Sequence, residues 1–142
     1  LRWDSLGEFL ALSVSLEHLS ETMNNPKAAI LGSTLDAATG MLLNNNQSPK
    51  RGVGELDNRG SHFYIALYWA QALANQSDDA ELKAQFEPIA TELAAKEATI
   101  VAELNDAQGV EINMDGYFYA PDSVLAPAMR PSNTLNSIID AI

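Results

Sequence analysis

A cluster of basic residues in a glycine-containing loop is the feature of this sequence best suited to chemistry. Lys50, Arg51 and Arg59 lie within ten residues, although the whole chain has eight basic residues against nineteen acidic ones. Backbone N–H groups of a glycine-rich turn, together with a guanidinium group, form a binding site for anions. The stretch therefore predicts one of two structures. It is either a phosphate or carboxylate site, or a solvated loop whose arginines pair with Glu55 and Asp57.

A second pair of charged residues, Arg2 and Asp4, flanks Trp3 at the start of the chain. On local grounds Asp4 is expected to cap the first helix, because a short carboxylate accepts hydrogen bonds from N–H groups at a helix start. In the alternative, Arg2 contacts an anion and Asp4 binds an amine or hydroxyl group of the same ligand. The local pattern leaves both interpretations open.

The remaining titratable residues predict structural roles. His18 and His62 are the two histidines, and their separation matches no metal-binding motif. Five glutamates recur at spacings of five or six and drift around a helix, which predicts a solvated face and no metal site. They are Glu81, Glu87, Glu92, Glu97 and Glu103. The chain has no cysteine, so it has no thiol nucleophile or thiolate metal site, and it has neither a dinucleotide-binding glycine motif nor a Walker motif.

Composition limits the class of protein. The 142 residues are 46% hydrophobic, which predicts one compact unit spanning residues 1–142. The net charge of −11 argues against nucleic acid and against an anionic membrane surface as partners. Residues 1–77 carry seven acids and five bases, whereas residues 78–142 carry twelve acids and three bases, so an anion site is expected in the first half. The lack of cysteine, of a signal peptide and of a membrane-spanning run predicts a cytoplasmic protein.

Hydrophobic periodicity predicts a mainly α fold. The first helix is expected to start at Asp4 or Ser5, with Ser5 and Glu8 forming a capping box, and to expose an apolar face to the core. The residues expected on that face are Leu6, Phe9, Leu10, Leu12, Leu16 and Leu19. Asn25 and Pro26 predict the start of a second helix that ends near residue 43. The chain begins at Leu1 and enters this helical pattern at once, which favours a piece of a longer protein.

The loop with the basic cluster precedes a third helix, expected to be capped by Ser61 and to be the most buried because it is apolar nearly all round. A fourth helix is expected after Ser77 or Asp78, with a kink or break near Glu87 because Pro88 follows. This pattern continues to about residue 107.

The remainder of the chain predicts shorter elements. Residues 110–121 could form a short β-hairpin turning at Asp115 and Gly116, or an irregular arm. Short helices are expected after Asp122 and after Ser132.

Several long motifs of this sequence resemble one family in order and nearly without gaps. They include "LRWDSLGEFLALSVSLEHL", "SPKRGVGELDNRGSHFYIALYWAQALA" and "AMRPSNTLN". The family is the monomeric-type NADP-dependent isocitrate dehydrogenase, a large bacterial enzyme, and the resemblance runs from Leu1 to about Ala141. It implies that the chain is the C-terminal part of such an enzyme and helps to complete a larger α/β domain on the cofactor side.

The resemblance also implies an activity. Members of the family oxidise and decarboxylate isocitrate to 2-oxoglutarate and reduce NADP, with Mg or Mn as the metal, in the tricarboxylic acid cycle and glyoxylate bypass. They act as monomers with the active site between two domains. In the family the ligands of isocitrate and of the metal precede the residue equivalent to Leu1. No catalytic or metal-binding residue is therefore expected in this chain, and the isolated 142 residues are expected to be catalytically inactive.

The cofactor site is different, because two of its residues match this chain. The family holds the 2′-phosphate of NADP with a histidine upstream of Leu1 and with two arginines, which match Arg2 and Arg51. The family's aspartate beside the adenosine matches Asp4. At Lys50 and Gly52 the chain departs from the family pattern, in which the second basic residue follows the arginine.

Two other functions remain compatible with the residues themselves. A free-standing helical scaffold or anion-binding module could share the ancestry without the catalysis. A regulatory domain could use the same loop to bind a different phosphate.

Overall fold

The computed structural model describes residues 4–114, 116 and 118–142, and these residues form seven α-helices and no strand. The mainly α prediction is therefore confirmed. The helices are α1 (Leu6–Met23), α2 (Pro26–Asn44), α3 (Asn58–Asn75), α4 (Ala80–Ala95), α5 (Glu97–Asp106), α6 (Asp122–Met129) and α7 (Asn133–Ile139). The stretch expected to form a hairpin or an arm has no strand in its described residues 110–114, 116 and 118–121, and the predicted turn residue Asp115 lies outside them.

Helices α1 and α2 form a helical hairpin joined by two asparagines. Asn24 takes a left-handed conformation with φ 48°, and the side chain of Asn25 accepts a hydrogen bond from the N–H of Ala28. Pro26 occupies the first position of α2, where its missing N–H costs no helical hydrogen bond. The predicted start of the second helix is confirmed.

Close packing between the two helices depends on Gly32. A Cβ atom at this position would lie 3.0 Å from the carbonyl oxygen of Ser13 on α1, so a larger residue would push the helices apart. The Ser13 hydroxyl donates to the carbonyl oxygen of Gly32 at 2.8 Å, in the buried part of the interface.

The start of α1 differs from the predicted capping box. Ser5 precedes the helix but its side chain makes no capping hydrogen bond, because its buried hydroxyl accepts from the Asn58 side-chain amide at 3.1 Å. The carboxylate of Asp4 accepts from the N–H of Leu6 at 3.0 Å and takes over the capping role. The expected Ser5–Glu8 box is therefore wrong, and the expectation that Asp4 caps the helix is confirmed.

Much of the apolar face predicted for α1 is exposed. In the described part of α1 the buried residues are Phe9 and Ser13. The exposed apolar residues of this helix are Leu10, Leu12, Val14, Leu19 and Met23. The helix contacts its neighbours along a narrow strip, so the apolar pattern that predicted one buried face overestimated its width.

Helix α3 is the centre of the core, as predicted from its apolar sequence. Its first residue, Asn58, lies four residues before the predicted first residue His62, because the carboxylate of Asp57 accepts from the N–H groups of Arg59 and Gly60. Ser61, expected as the cap, lies inside the helix and is buried. The main core residues are Phe9, Leu35, Leu42, Phe63, Leu67, Leu73, Leu93, Ile100 and Leu104.

Helix α4 continues through Pro88, so of the kink or break predicted near Glu87 the break does not occur. Ala90 and Leu93 follow the proline and are buried in the core, and these contacts hold the helix together where the ring removes one hydrogen bond. The break occurs later, at Lys96, before α5 begins. The carboxylate of Asp79 caps α4, so the predicted caps at Ser77 and Asp78 are one or two residues early.

The last helix is attached to α5 by one glutamate. Ser132 caps α7, as predicted, and its hydroxyl also donates to the Glu103 carboxylate. The hydroxyl and N–H groups of Thr134 donate to the same carboxylate at 2.8 and 3.2 Å. These hydrogen bonds, first that of Ser132 and then those of Thr134, hold the pKa of Glu103 below its ordinary value of 4.5.

This shift predicts a pH-dependent contribution to stability. Because the folded pKa is the lower one, the ionised Glu103 stabilises the fold above about pH 4.5, and this contribution disappears as the pH falls through the folded pKa. Glu103 is only partly buried, so Glu103→Gln is expected to lower the free energy of unfolding at pH 7 by about 1 kcal/mol or less. Urea unfolding of the 142-residue chain at pH 7 and pH 3.5 should show a difference that shrinks at the lower pH. A Glu92→Gln control at an exposed position of α4 should show no difference at pH 7, and an unchanged difference at both pH values would contradict this role of Glu103.

Candidate functional site

The segment between α2 and α3, residues 45–57, is here named the Arg51 loop. It is closed by a hydrogen bond of 2.7 Å from the N–H of Lys50 to the carbonyl oxygen of Leu56. Inside it, the Glu55 carboxylate accepts from the N–H of Gly52 at 2.6 Å. Gly54 has φ 83°, a conformation that residues with a side chain rarely adopt. The glycines of the basic cluster thus let the loop fold back on itself.

The end of α5 is bonded to the Arg51 loop. The side-chain amide of Gln108 donates to the carbonyl oxygen of Glu55 at 2.8 Å and accepts from the N–H of Gly54 at 3.2 Å. It also donates to the Asn105 side chain at 3.2 Å. Nothing in the sequence pattern singled out Gln108, because its partners in the Arg51 loop are more than fifty residues away.

Arg59 forms a buried ion pair at the start of α3. Its Nε and Nη2 atoms donate to one carboxylate oxygen of Asp57 at 2.9 and 2.7 Å, and its Nη1 donates to the carbonyl oxygen of Ala128 at the end of α6 at 2.7 Å. Asp57 is fully buried. The predicted pairing of a loop arginine with Asp57 is thus confirmed for Arg59, which is occupied in holding α6 and the start of α3 together.

Arg51 differs from Arg59 in both exposure and partners. It is exposed, and no described residue forms an ion pair or hydrogen bond with it. Its predicted partners are engaged elsewhere, since Glu55 binds the N–H of Gly52 and Asp57 binds Arg59. The neighbouring cation is also engaged, because Lys50 donates to the Asn46 side chain at 2.6 Å. Arg51 is therefore the guanidinium of the cluster that is available to a ligand.

A cavity of about 430 Å³ borders Arg51. Its wall includes side chains from the Arg51 loop, from the end of α5 and from α6. They include Val53, Gln108, Leu125 and Met129. A guanidinium at the edge of a largely apolar cavity can bind the anionic end of a ligand whose body lies in the cavity.

The start of α1 lies beside the start of α3, which the Arg51 loop precedes. The Asn58–Ser5 hydrogen bond joins the two helix starts, and the rings of Phe9 and His62 pack edge to face with 5.2 Å between their centroids. Asp4 therefore lies at the same end of α3 as the Arg51 loop. It is exposed and retains one carboxylate oxygen beyond the one that caps α1. Arg2 lies outside the described residues.

The histidines show no sign of a metal site. Among the described residues no group of three histidine, aspartate or glutamate side chains could hold a metal ion. His62 is exposed, and its Nδ1 lies 2.9 Å from the carbonyl oxygen of Asn58, so this nitrogen carries the hydrogen that it donates. None of the described helices is long and apolar enough to cross a membrane.

Comparison with known proteins identifies the family. The family model described as monomeric isocitrate dehydrogenase matches residues 1–140. The chain is 59% identical over 142 residues to "Isocitrate dehydrogenase [NADP] 2" of Colwellia maris and 58% identical over 139 residues to "Isocitrate dehydrogenase [NADP]" of Azotobacter vinelandii. These alignments cover 100% and 98% of this chain but 19% of each relative. A third relative, "Isocitrate dehydrogenase [NADP] 2" of Mycobacterium tuberculosis, is 52% identical over 143 residues.

The relatives named above are all NADP-linked isocitrate dehydrogenases. The chain belongs to the monomeric isocitrate dehydrogenase family, as its motifs had indicated, and it spans about a fifth of the length of the relatives it matches.

Proposed function

We propose that this chain forms part of the 2′-phosphate site for NADP in an isocitrate dehydrogenase. The observation that carries the proposal is the exposed guanidinium of Arg51, which has no partner among the described residues although the other two cations of the cluster are engaged. The 2′-phosphate is the group that distinguishes NADP from NAD, and an arginine binds it through two parallel hydrogen bonds. The family membership and the cofactor printed in the names of the relatives support this choice of anion.

The residues proposed to hold the cofactor have separate tasks. Arg51 neutralises and orients the phosphate, and the Arg51 loop holds the guanidinium at the edge of the cavity. Asp4 uses its second carboxylate oxygen to accept a hydrogen bond from the adenosine. Arg2 supplies the second guanidinium, as the family pattern implies. The bound NADP would supply the hydride acceptor, and none of these residues takes part in that transfer.

The reaction proposed for the longer protein is the conversion of isocitrate and NADP to 2-oxoglutarate, carbon dioxide and NADPH. Mg or Mn would be required, and its ligands are expected in the rest of the longer protein, because the described residues include no group of three side chains that could hold a metal ion. We place the 142 residues as one helical unit of the cofactor-side domain in a monomeric, cytoplasmic enzyme. The isolated chain is expected to be inactive.

The proposal is tested on the longer protein that contains this chain. NADPH formation is followed by absorbance with isocitrate and Mg or Mn, and the same assay is run without isocitrate and with NAD in place of NADP. Reduction of NADP that requires isocitrate is the expected result. If NADP is bound but no isocitrate-dependent reduction occurs, the function is that of an anion-binding module, and the dehydrogenase proposal is wrong.

A further inference from the structure

Gln108 contacts two consecutive residues of the Arg51 loop with a single side-chain amide. The amide oxygen accepts from the N–H of Gly54, and the amide nitrogen donates to the carbonyl oxygen of Glu55. Two hydrogen bonds of opposite polarity to adjacent residues fix both the position and the orientation of that part of the backbone. Gln108 follows the end of α5, a helix whose residues Ile100 and Leu104 are buried in the core.

The part of the loop that carries Arg51 and Gly54 needs such an external reference. The last two residues of the loop are anchored, because Leu56 packs against the core and Asp57 binds Arg59. The Lys50–Leu56 and Gly52–Glu55 hydrogen bonds close the preceding part of the loop on itself. Its exposed side chains provide little anchoring, since Val53 is 74% exposed and Arg51 is also exposed. The bonds from Gln108 connect the loop to the segment that directly follows α5, on the wall of the same cavity.

We propose that Gln108 is a positioning residue for NADP selectivity, which acts by holding the Arg51 loop in place and not by contacting the cofactor. This inference rests on the proposed function, because it requires Arg51 to bind the 2′-phosphate. A loop that samples other positions presents its guanidinium correctly only part of the time, and the apparent affinity for NADP falls by that fraction. The affinity for NAD, which lacks the phosphate, does not depend on how often the guanidinium is correctly placed.

The main test variant is Gln108→Met in the longer protein. Methionine keeps the length and bulk of the side chain and removes both hydrogen bonds to the loop. The expected result is a KM for NADP raised roughly 3- to 10-fold, with kcat and the KM for NAD changed less than about twofold. Gln108→Asn, whose amide is one methylene too short to bond both residues, is the second variant and should show the same selective effect if the methionine variant does not fold.

The matched control is Gln76→Met. Gln76 makes the same pair of hydrogen bonds to a turn backbone, donating to the carbonyl oxygen of Asp79 at 2.7 Å and accepting from its N–H at 2.8 Å. It follows the last residue of α3, about 27 Å along the helix axis from Asn58. This variant should leave the KM for NADP unchanged. An equal rise in both variants would mean that general loosening of the fold causes the effect, and would overturn the proposal.

A double variant separates positioning from direct contact. If Gln108 acts through Arg51, then Gln108→Met should add nothing to the KM for NADP of Arg51→Ala. If the two effects multiply, Gln108 contacts the cofactor itself and the positioning role is wrong. If Arg51→Ala reduces the selectivity for NADP and the Gln108 variants do not, this inference alone is overturned. If neither Arg51→Ala nor the Gln108 variants reduce that selectivity, the proposed function is overturned as well.

Discussion

Arg51→Ala in the longer protein should raise the KM for NADP roughly 10- to 150-fold and leave the KM for NAD nearly unchanged. The range corresponds to the loss of about 1.5–3 kcal/mol, the usual contribution of a hydrogen bond to a charged group. The effect should be selective because alanine removes the guanidinium but no contact that the two cofactors share. Steady-state kinetics with NADP and NAD at saturating isocitrate would measure both constants.

The neighbouring cation provides the control for the Arg51 variant. Lys50 carries the same charge in the same loop, but its ammonium group donates to Asn46. Lys50→Ala should therefore have a clearly smaller effect on the KM for NADP than Arg51→Ala. Arg2→Ala should resemble Arg51→Ala if the family pattern applies to it. A rise of equal size for both cofactors in Arg51→Ala would show that Arg51 does not bind the 2′-phosphate.

Arg59→Met should reduce the free energy of unfolding of the 142-residue chain by about 3–5 kcal/mol, the largest loss of stability that we expect from a single replacement. Methionine removes the Arg59 charge from beside the fully buried Asp57 carboxylate, and it removes the hydrogen bond to Ala128 that holds the end of α6. A loss of this size is a large part of the free energy of unfolding of an ordinary domain, which is about 5–15 kcal/mol. Urea unfolding followed by circular dichroism would give the difference.

Two further variants test whether removal of the Arg59 charge from beside the buried carboxylate causes this loss. The double variant Asp57→Ser/Arg59→Met removes both charges and keeps an oxygen that can cap α3, so it should be more stable than Arg59→Met alone. Arg130→Met makes the same replacement at an ion pair with Asp140 whose side chains are 51% and 64% exposed, and it should cost about 1 kcal/mol or less. Equal losses for the buried and exposed arginines would contradict the role given to burial.

The capping residues show which local features were predictable. Asn25 before Pro26, and Ser132 before α7, each accept from an N–H group three residues away, and both were predicted. The start of α3 was misplaced because Ser61 is as good a capping residue as Asp57 on local grounds. Asp57 takes the role because its carboxylate is also held by Arg59, which in turn contacts α6.

The break between α4 and α5 shows how packing overrides a local signal. Pro88 predicts a kink or a break because it removes a helical hydrogen bond, and this effect is confined to its own turn. Ala90 and Leu93 are buried in the core on the following turn, and these contacts preserve the helix. The sequence does not reveal them in advance, because they depend on the position of other helices.

By itself, the sequence determined the helical class, the buried character of α3 and the family, because periodicity, composition and long motifs are properties of neighbouring residues. It also indicated the loop in which an anion site was expected. Only the tertiary structure distinguished Arg59, which is paired in the interior, from Arg51, which is exposed. It also brought Gln108 to the Arg51 loop and Glu103 to the start of α7. The physical reason is separation along the chain: these contacts join residues 29 to 69 positions apart, and hydrogen-bond partners at such distances are set by how the helices pack.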